Sequence, residues 1–98
     1  MTAYTISVSP NEGGKGTVVS VTSGGSAQGP VNSSAGPCNY LYFSDVLNFM
    51  RVGTNPTAGA SDTILPANTF IRIGPVPAGM RLAFRGGANG SVYLSQEA

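Results

Sequence analysis

Apolar and polar residues alternate one by one over several short stretches of this chain, and such a period of two is the mark of half-buried strands. Tyr4-Thr5-Ile6-Ser7-Val8 places Tyr4, Ile6 and Val8 on one face, and Pro10 follows as a stop. Thr17 to Thr22 is rich in β-branched residues and predicts a second strand, with "NEGGKG" as the hairpin loop between the two. Further strands are predicted at Asn39–Phe43, Asn48–Val52, Thr69–Ile73, Met80–Arg85 and Ser91–Ser95. Only "SDVLNFM", residues 44–50, offers a helical turn, with Ser44 as its cap. The alternation running on through Arg51-Val52-Gly53 favours a strand there. Fourteen glycines and seven prolines break every window long enough for an amphipathic helix.

The last three predicted strands read as a meander. Met80, Leu82 and Phe84 face one way, while Arg81, Ala83 and Arg85 face the other. In "GPVPAG" the two prolines are expected to end the flanking strands. "GGANG" supplies the next turn with residues that tolerate positive φ. The expected core is Ile6, Val8, Val19, Val21, Leu41, Phe43, Ile71, Ile73, Leu82, Phe84, Val92 and Leu94. Residues 23–37 and 53–62 carry no periodicity and are expected as long loops. The whole predicts one all-β domain over residues 1–98. Its form is a small antiparallel β-sandwich, jelly-roll-like, of about seven short strands. An immunoglobulin-like arrangement is the other sandwich, without the Cys…Trp…Cys signature, since there is one cysteine and no tryptophan.

Composition narrows the function. Charged residues are 9% of the chain, where about 25% is usual, and the net charge is +1. Such a surface, built from Ser, Thr, Asn and Gly, repels its neighbours weakly and suits a protein that lives in contact with others. Five basic residues balanced by four acidic ones do not make a nucleic-acid footprint, and no polybasic run points to a membrane. No apolar run approaches the roughly 20 residues of a membrane helix, and no signal peptide is recognisable.

Candidate chemistry is sparse. The chain has no histidine, so a Ser-His-Asp or Cys-His arrangement cannot be built within it. Cys38 alone makes neither an intrachain disulfide nor a thiolate metal site, and reads as a small buried hydrophobe. Asp45 and Asp62 each follow a serine in a turn context and read as turn formers rather than a glycosidase pair. "GGKGT" lacks the spacing of a phosphate-binding loop. No catalytic, cofactor-binding or metal-ligating residue is predicted, and no cofactor. Tyr40 and Tyr42 share a face opposite Leu41 and Phe43. They are expected at a rim or interface, or as a sugar-stacking platform. The candidate interface residues are Tyr4, Val31, Asn32, Tyr40, Tyr42, Asn55, Arg72, Arg81 and Arg85.

The stretch "SDTILPANTFIRIGPVPAGMRLAFRGGANGSVYLS" resembles the C-terminal half of small structural proteins of tailed bacteriophages, including head decoration or cement proteins. The shared pattern is a polar loop, Leu65-Pro66-Ala67, a strand, a proline turn, an apolar strand with Ala83, a glycine turn and a short last strand. It covers roughly residues 39–95. The resemblance implies a non-enzymatic protein that binds and reinforces a capsid lattice, as a dimer or trimer. Its partner would be the major capsid protein or another virion protein. It would be made in the host cytoplasm and end on the capsid surface. A carbohydrate-binding or adhesive module and a neck or tail component are the alternative expectations. Residues 23–37 and 53–62 are the loops expected to meet neighbouring subunits.

Overall fold

A computed structural model describes residues 16–97. The expected strand at Tyr4–Val8, with Ile6 and Val8 of the expected core, lies outside the described residues. Eight strands run in order: β1 (Gly16–Val21), β2 (Ser26–Gln28), β3 (Cys38–Ser44), β4 (Asn48–Gly53), β5 (Thr63–Leu65), β6 (Ile71–Val76), β7 (Arg81–Gly86) and β8 (Gly90–Gln96). No helix occurs among the described residues. The strands form two antiparallel four-stranded sheets, β1-β8-β3-β6 and β2-β7-β4-β5. We call them sheet A and sheet B.

The pairing has a simple rule. β4 pairs with β5, β3 with β6, β2 with β7 and β1 with β8. Two further ladders, β3 with β8 and β4 with β7, join these pairs into sheets. The chain behaves as one long hairpin centred between β4 and β5 and folded over on itself. Consecutive strands therefore mostly alternate between sheets. The expected meander of the last three strands is overturned for this reason: β6 and β8 lie in sheet A, whereas β7 lies in sheet B.

One hydrophobic cluster fills the space between the sheets. Sheet A contributes Val19, Val21, Cys38, Tyr40, Tyr42, Ile73, Val76, Val92 and Leu94, and sheet B contributes Leu65, Leu82 and Phe84. The Tyr42 and Phe84 rings face one another across the gap, with centroids 5.7 Å apart. Most of the expected core is here, with Ile71 packed against it. Leu41 and Phe43 are the correction. In β3 the residues Cys38, Tyr40, Tyr42 and Ser44 point inward and are buried, so Leu41 and Phe43 turn outward. A strand's side chains alternate strictly, and one pair cannot go in without sending the other out.

The buried polar groups are held in place. Asn48 Nδ2 donates toward Tyr42 Oη (2.8 Å), Ser44 Oγ (2.9 Å) and the Val46 carbonyl (3.0 Å), and Ser44 Oγ donates to the Ser91 carbonyl. Asn32, fully buried, is satisfied at every polar atom. Its Nδ2 donates to the carbonyls of Val76 (2.9 Å) and Gly36 (3.0 Å), and its Oδ1 accepts from the Ser34 amide and hydroxyl. Its own backbone bonds Met80 and Gly79. One residue, by side chain and backbone together, thus fastens the β2–β3 loop to the end of β6 and to the turn before β7. Its placement as an interface residue is corrected by this burial.

Three other expectations give way. The long loop at 23–37 contains β2, and β5 follows directly on the loop at 53–62, so eight strands occur among the described residues. Both are three-residue edge strands too short to show a period. The prolines do not end β6, which runs through Pro75 to Val76. β6 is an edge strand, where a missing N–H need not break a ladder. Between the pairs Tyr40–Ile73 and Cys38–Val76 the two residues Gly74 and Pro75 oppose the single residue Asn39, which makes a bulge. A Cβ at Gly74 would run into Asn39, so only glycine fits.

Removing the Asn32 side chain takes a buried donor from the Val76 carbonyl and leaves a void at a fully buried position. Asn32→Ala should therefore lower the free energy of unfolding by about 2–4 kcal/mol in urea titration. An unchanged midpoint would show that the clamp contributes nothing. Alkali should also weaken the fold. Burial, reinforced by the Cys38 thiol beside it, pushes the Tyr40 phenol from 10.0 up to about 12. Burial pushes Tyr42 up too, against the opposing hydrogen bonds from Asn48 and Ser44. The unfolded chain then ionises first. The stability is fully present below the ordinary phenol value of 10.0 and is lost as pH rises toward about 12. Urea midpoints measured across that window should fall steadily.

Candidate functional site

The outward turn of Phe43 has a consequence on the surface of sheet A. Its neighbour in register on β8 is Tyr93, and the neighbour of Tyr93 on β1 is Val18. On the other side Phe70, one residue before β6, stacks against Phe43 with ring centroids 4.8 Å apart; Phe43 and Tyr93 stand at 6.4 Å. Val18, Tyr93, Phe43 and Phe70 thus form one row across the full width of the sheet. Val18 is 62%, Phe70 48% and Tyr93 46% exposed. With Leu41 they line a shallow hollow of about 300 Å³, to which no charged residue contributes.

Local sequence explains the row. Val18 sits between half-buried Thr17 and inward Val19 of a β-branched strand, and Tyr93 between inward Val92 and Leu94. Cross-strand aromatic pairs stabilise the sheet they stand on. A continuous exposed apolar row is still uncommon on a chain with no partner. The hollow offers no carboxylate, thiol or guanidinium, so what it does physically is exclude water from an apolar surface laid against it.

The residues predicted as an interface are not brought together. Tyr40 and Tyr42 lie in the core, which corrects the expected tyrosine platform. Asn32 is the buried clamp described above. Val31 is exposed beside it. Arg72 lies on edge strand β6 and pairs with Glu97 at 2.9 Å. Arg81 and Arg85 stand half-buried on the outer face of sheet B. Arg81 donates to the Gly29 carbonyl and to Gln28 Oε1. Asn55 is exposed and accepts from Gln28 Nε2. Tyr4 lies outside the described residues. The row itself was missed because Leu41 and Phe43 were assigned inward. The available signal was Cys38, whose expected burial fixes Tyr40 and Tyr42 on the same inward face.

The outer face of sheet B is covered in a different way. The segment 54–62 folds back across it. Gln28 Nε2 donates to Asn55 and the Pro56 carbonyl, and the Ala58 amide donates to Ser26 Oγ. Arg51 bonds Asp62 Oδ1 through Nε and Nη2. Pro56, Ala58 and Ala83 are buried as a result. Arg81, Ala83 and Arg85 do share the outward face of β7 as expected, but Ala83 is not a surface residue.

Among the described residues no three His, Cys, Asp or Glu side chains gather as a metal site. No family model, no curated protein and no solved structure matches this chain at a significant level.

The returning segment should respond to acid. The Gly59 amide donates to Asp62 Oδ2 at 2.6 Å. This bond, with the Arg51 guanidinium, holds the Asp62 carboxyl below its ordinary 3.8. The folded value is depressed, so the tie is intact above 3.8 and is lost as pH falls below it toward the folded value. Asp62→Asn should quicken hydrogen exchange at the Gly59 amide at neutral pH, and exchange unchanged from wild type would count against the tie.

Proposed function

We propose that this chain is a non-enzymatic structural protein that docks through the outer face of sheet A onto a protein shell, a bacteriophage capsid lattice. It acts there together with other copies of itself. The observation that carries this reading is the exposed row Val18–Tyr93–Phe43–Phe70 on a chain with very little charge. Burying such a row gives a favourable contact without long-range steering, and many weak contacts repeated over a lattice add by multivalency. The proposed fold is a jelly roll. Support comes from the strand orders 1-8-3-6 and 2-7-4-5, which are what a folded-over eight-stranded hairpin produces. Jelly rolls serve viral capsids, lectins and cupins alike, so the fold alone does not choose the function. The resemblance of residues 39–95 to phage decoration proteins favours the capsid surface, with the major capsid protein as partner and a homodimer or homotrimer as the assembling unit. A neck or tail position would use the same face.

A sugar-binding module is the second reading, because aromatic rings stack on sugars. The hollow of sheet A offers a sugar few groups to hydrogen-bond, and polar fixing groups are what orient such a ligand. The test is binding of purified protein to particles from the source. Tyr93→Lys and Val18→Lys should each weaken it by about thirtyfold or more, as a central contact does, with the melting temperature nearly unchanged at these exposed positions. Quantitative mass spectrometry of the same particles should find a copy number close to that of the major shell protein. Wild-type binding by both variants would overturn the docking face.

A further inference from the structure

Among the described strands, every sheet edge but one is guarded. β6, at one edge of sheet A, carries Arg72, Pro75 and the bulge opposite Asn39. β2 and β5, the edges of sheet B, are three residues long. β1, the other edge of sheet A, is Gly-Thr-Val-Val-Ser-Val, with no charge, no proline and an unbroken register against β8. An edge of that kind is a template for another strand. We propose that the outer edge of β1 is a strand-binding surface whose occupant is the chain's own segment 5–9, laid antiparallel to it.

The hydrogen bonds around Ser91 fix which groups of β1 are open. The Ser91 amide donates to Asp45 Oδ1 and its carbonyl accepts from Ser44 Oγ, so both point to the β3 side of β8. Successive residues of a strand aim their backbone groups at opposite neighbours. Gly90 and Val92 therefore turn theirs to β1, where they stand opposite Val21 and Val19. Val18 and Ser20, in between, aim their N–H and C=O groups away from β8. No strand among the described residues meets them there.

Residues 1–15 lie outside the described residues and join the structure at Gly16, the first residue of this same edge. Their sequence fits the edge in one phase. With Ile6 and Val8 on the side of the inward Val19 and Val21, the apolar set extends the core, and the small polar Thr5, Ser7 and Ser9 share the outer face with Val18 and Ser20. That phase turns the N–H groups of Ser7 and Ser9 toward β1 and those of Ile6 and Val8 to solvent. Pro10 then falls on the solvent side, where its missing N–H costs no ladder bond. Five residues, 11–15, remain for the return, which is within the length of hairpin loops, and Gly13-Gly14 suit the positive φ of such turns. So short a tether keeps the segment at high effective concentration beside its own edge, ahead of a second copy. With the edge filled, copies cannot join there sheet to sheet. The seat is separate from the aromatic row and does not depend on the docking reading.

The experiment is amide hydrogen exchange on the full chain, read residue by residue by NMR. Val18 and Ser20 should be protected. Within the segment protection should alternate, slow at Ser7 and Ser9 and fast at Ile6 and Val8, and it should not depend on protein concentration. Ser7→Pro removes one donor from the seat and should quicken exchange at Val18 and Ser20 by about tenfold or more, while the amides of β3 keep their rates. Ser7→Ala keeps the N–H and should exchange as wild type does. The proposal is overturned if Val18 and Ser20 exchange as fast as an open chain, if protection in the segment does not alternate, or if Ser7→Pro changes nothing. Protection that fades on dilution would overturn it too, by making a second copy the occupant.

Discussion

The pleat of β3 governs the rest of the molecule. Seven residues alternate without interruption between inward Cys38, Tyr40, Tyr42 and Ser44 and outward Asn39, Leu41 and Phe43. Both sets are rich in apolar atoms, and only one can face the core. Tyr40 and Tyr42 fill more space than Leu41 and Phe43, and Tyr42 reaches sheet B, where it meets Phe84. With the tyrosines inside, Phe43 must stand outside beside Tyr93 and Phe70. The core and the surface row are two results of one choice of phase.

That choice brings polar atoms into the interior, and the structure answers them unevenly. The Tyr42 phenol is met by Asn48, which is met in turn by Ser44 and the Val46 carbonyl. The Tyr40 phenol finds no such partner among the described residues. The difference follows from position along the strand. Tyr42 lies near the β3–β4 turn, whose asparagine and serine reach inward. Tyr40 lies toward the other end, where the β2–β3 loop spends its asparagine on backbone carbonyls.

Much of the architecture was legible in the sequence. β1, β7 and β8 carry period-two patterns with branched or large apolar residues, and their inward sets Val19 and Val21, Leu82 and Phe84, Val92 and Leu94 are all in the core. β2 and β5 were not legible, because three residues such as Ser-Ala-Gln have no period to read and are held by the neighbouring strand alone. The extension of β6 through Pro75 was hidden because it depends on being at an edge, which only the sheet order decides. The surface row was hidden by a local ambiguity. Alternation in "CNYLYFS" is equally good in either phase. Only the link between Cys38 and its own parity, two and four residues from the tyrosines, breaks the tie.

The segment 54–62 gives the two sides of the molecule different characters. It lays polar backbone and the Arg51–Asp62 pair over sheet B, and nothing comparable among the described residues lies over the row on sheet A. The molecule therefore has a front and a back. Laid by that row on a flat support that takes up apolar surface, it turns the arginines of β7 and the returning segment outward. Every copy in an array would then present the same face to the surrounding solution. That uniform outer texture would come from a nine-residue excursion that never touches the support.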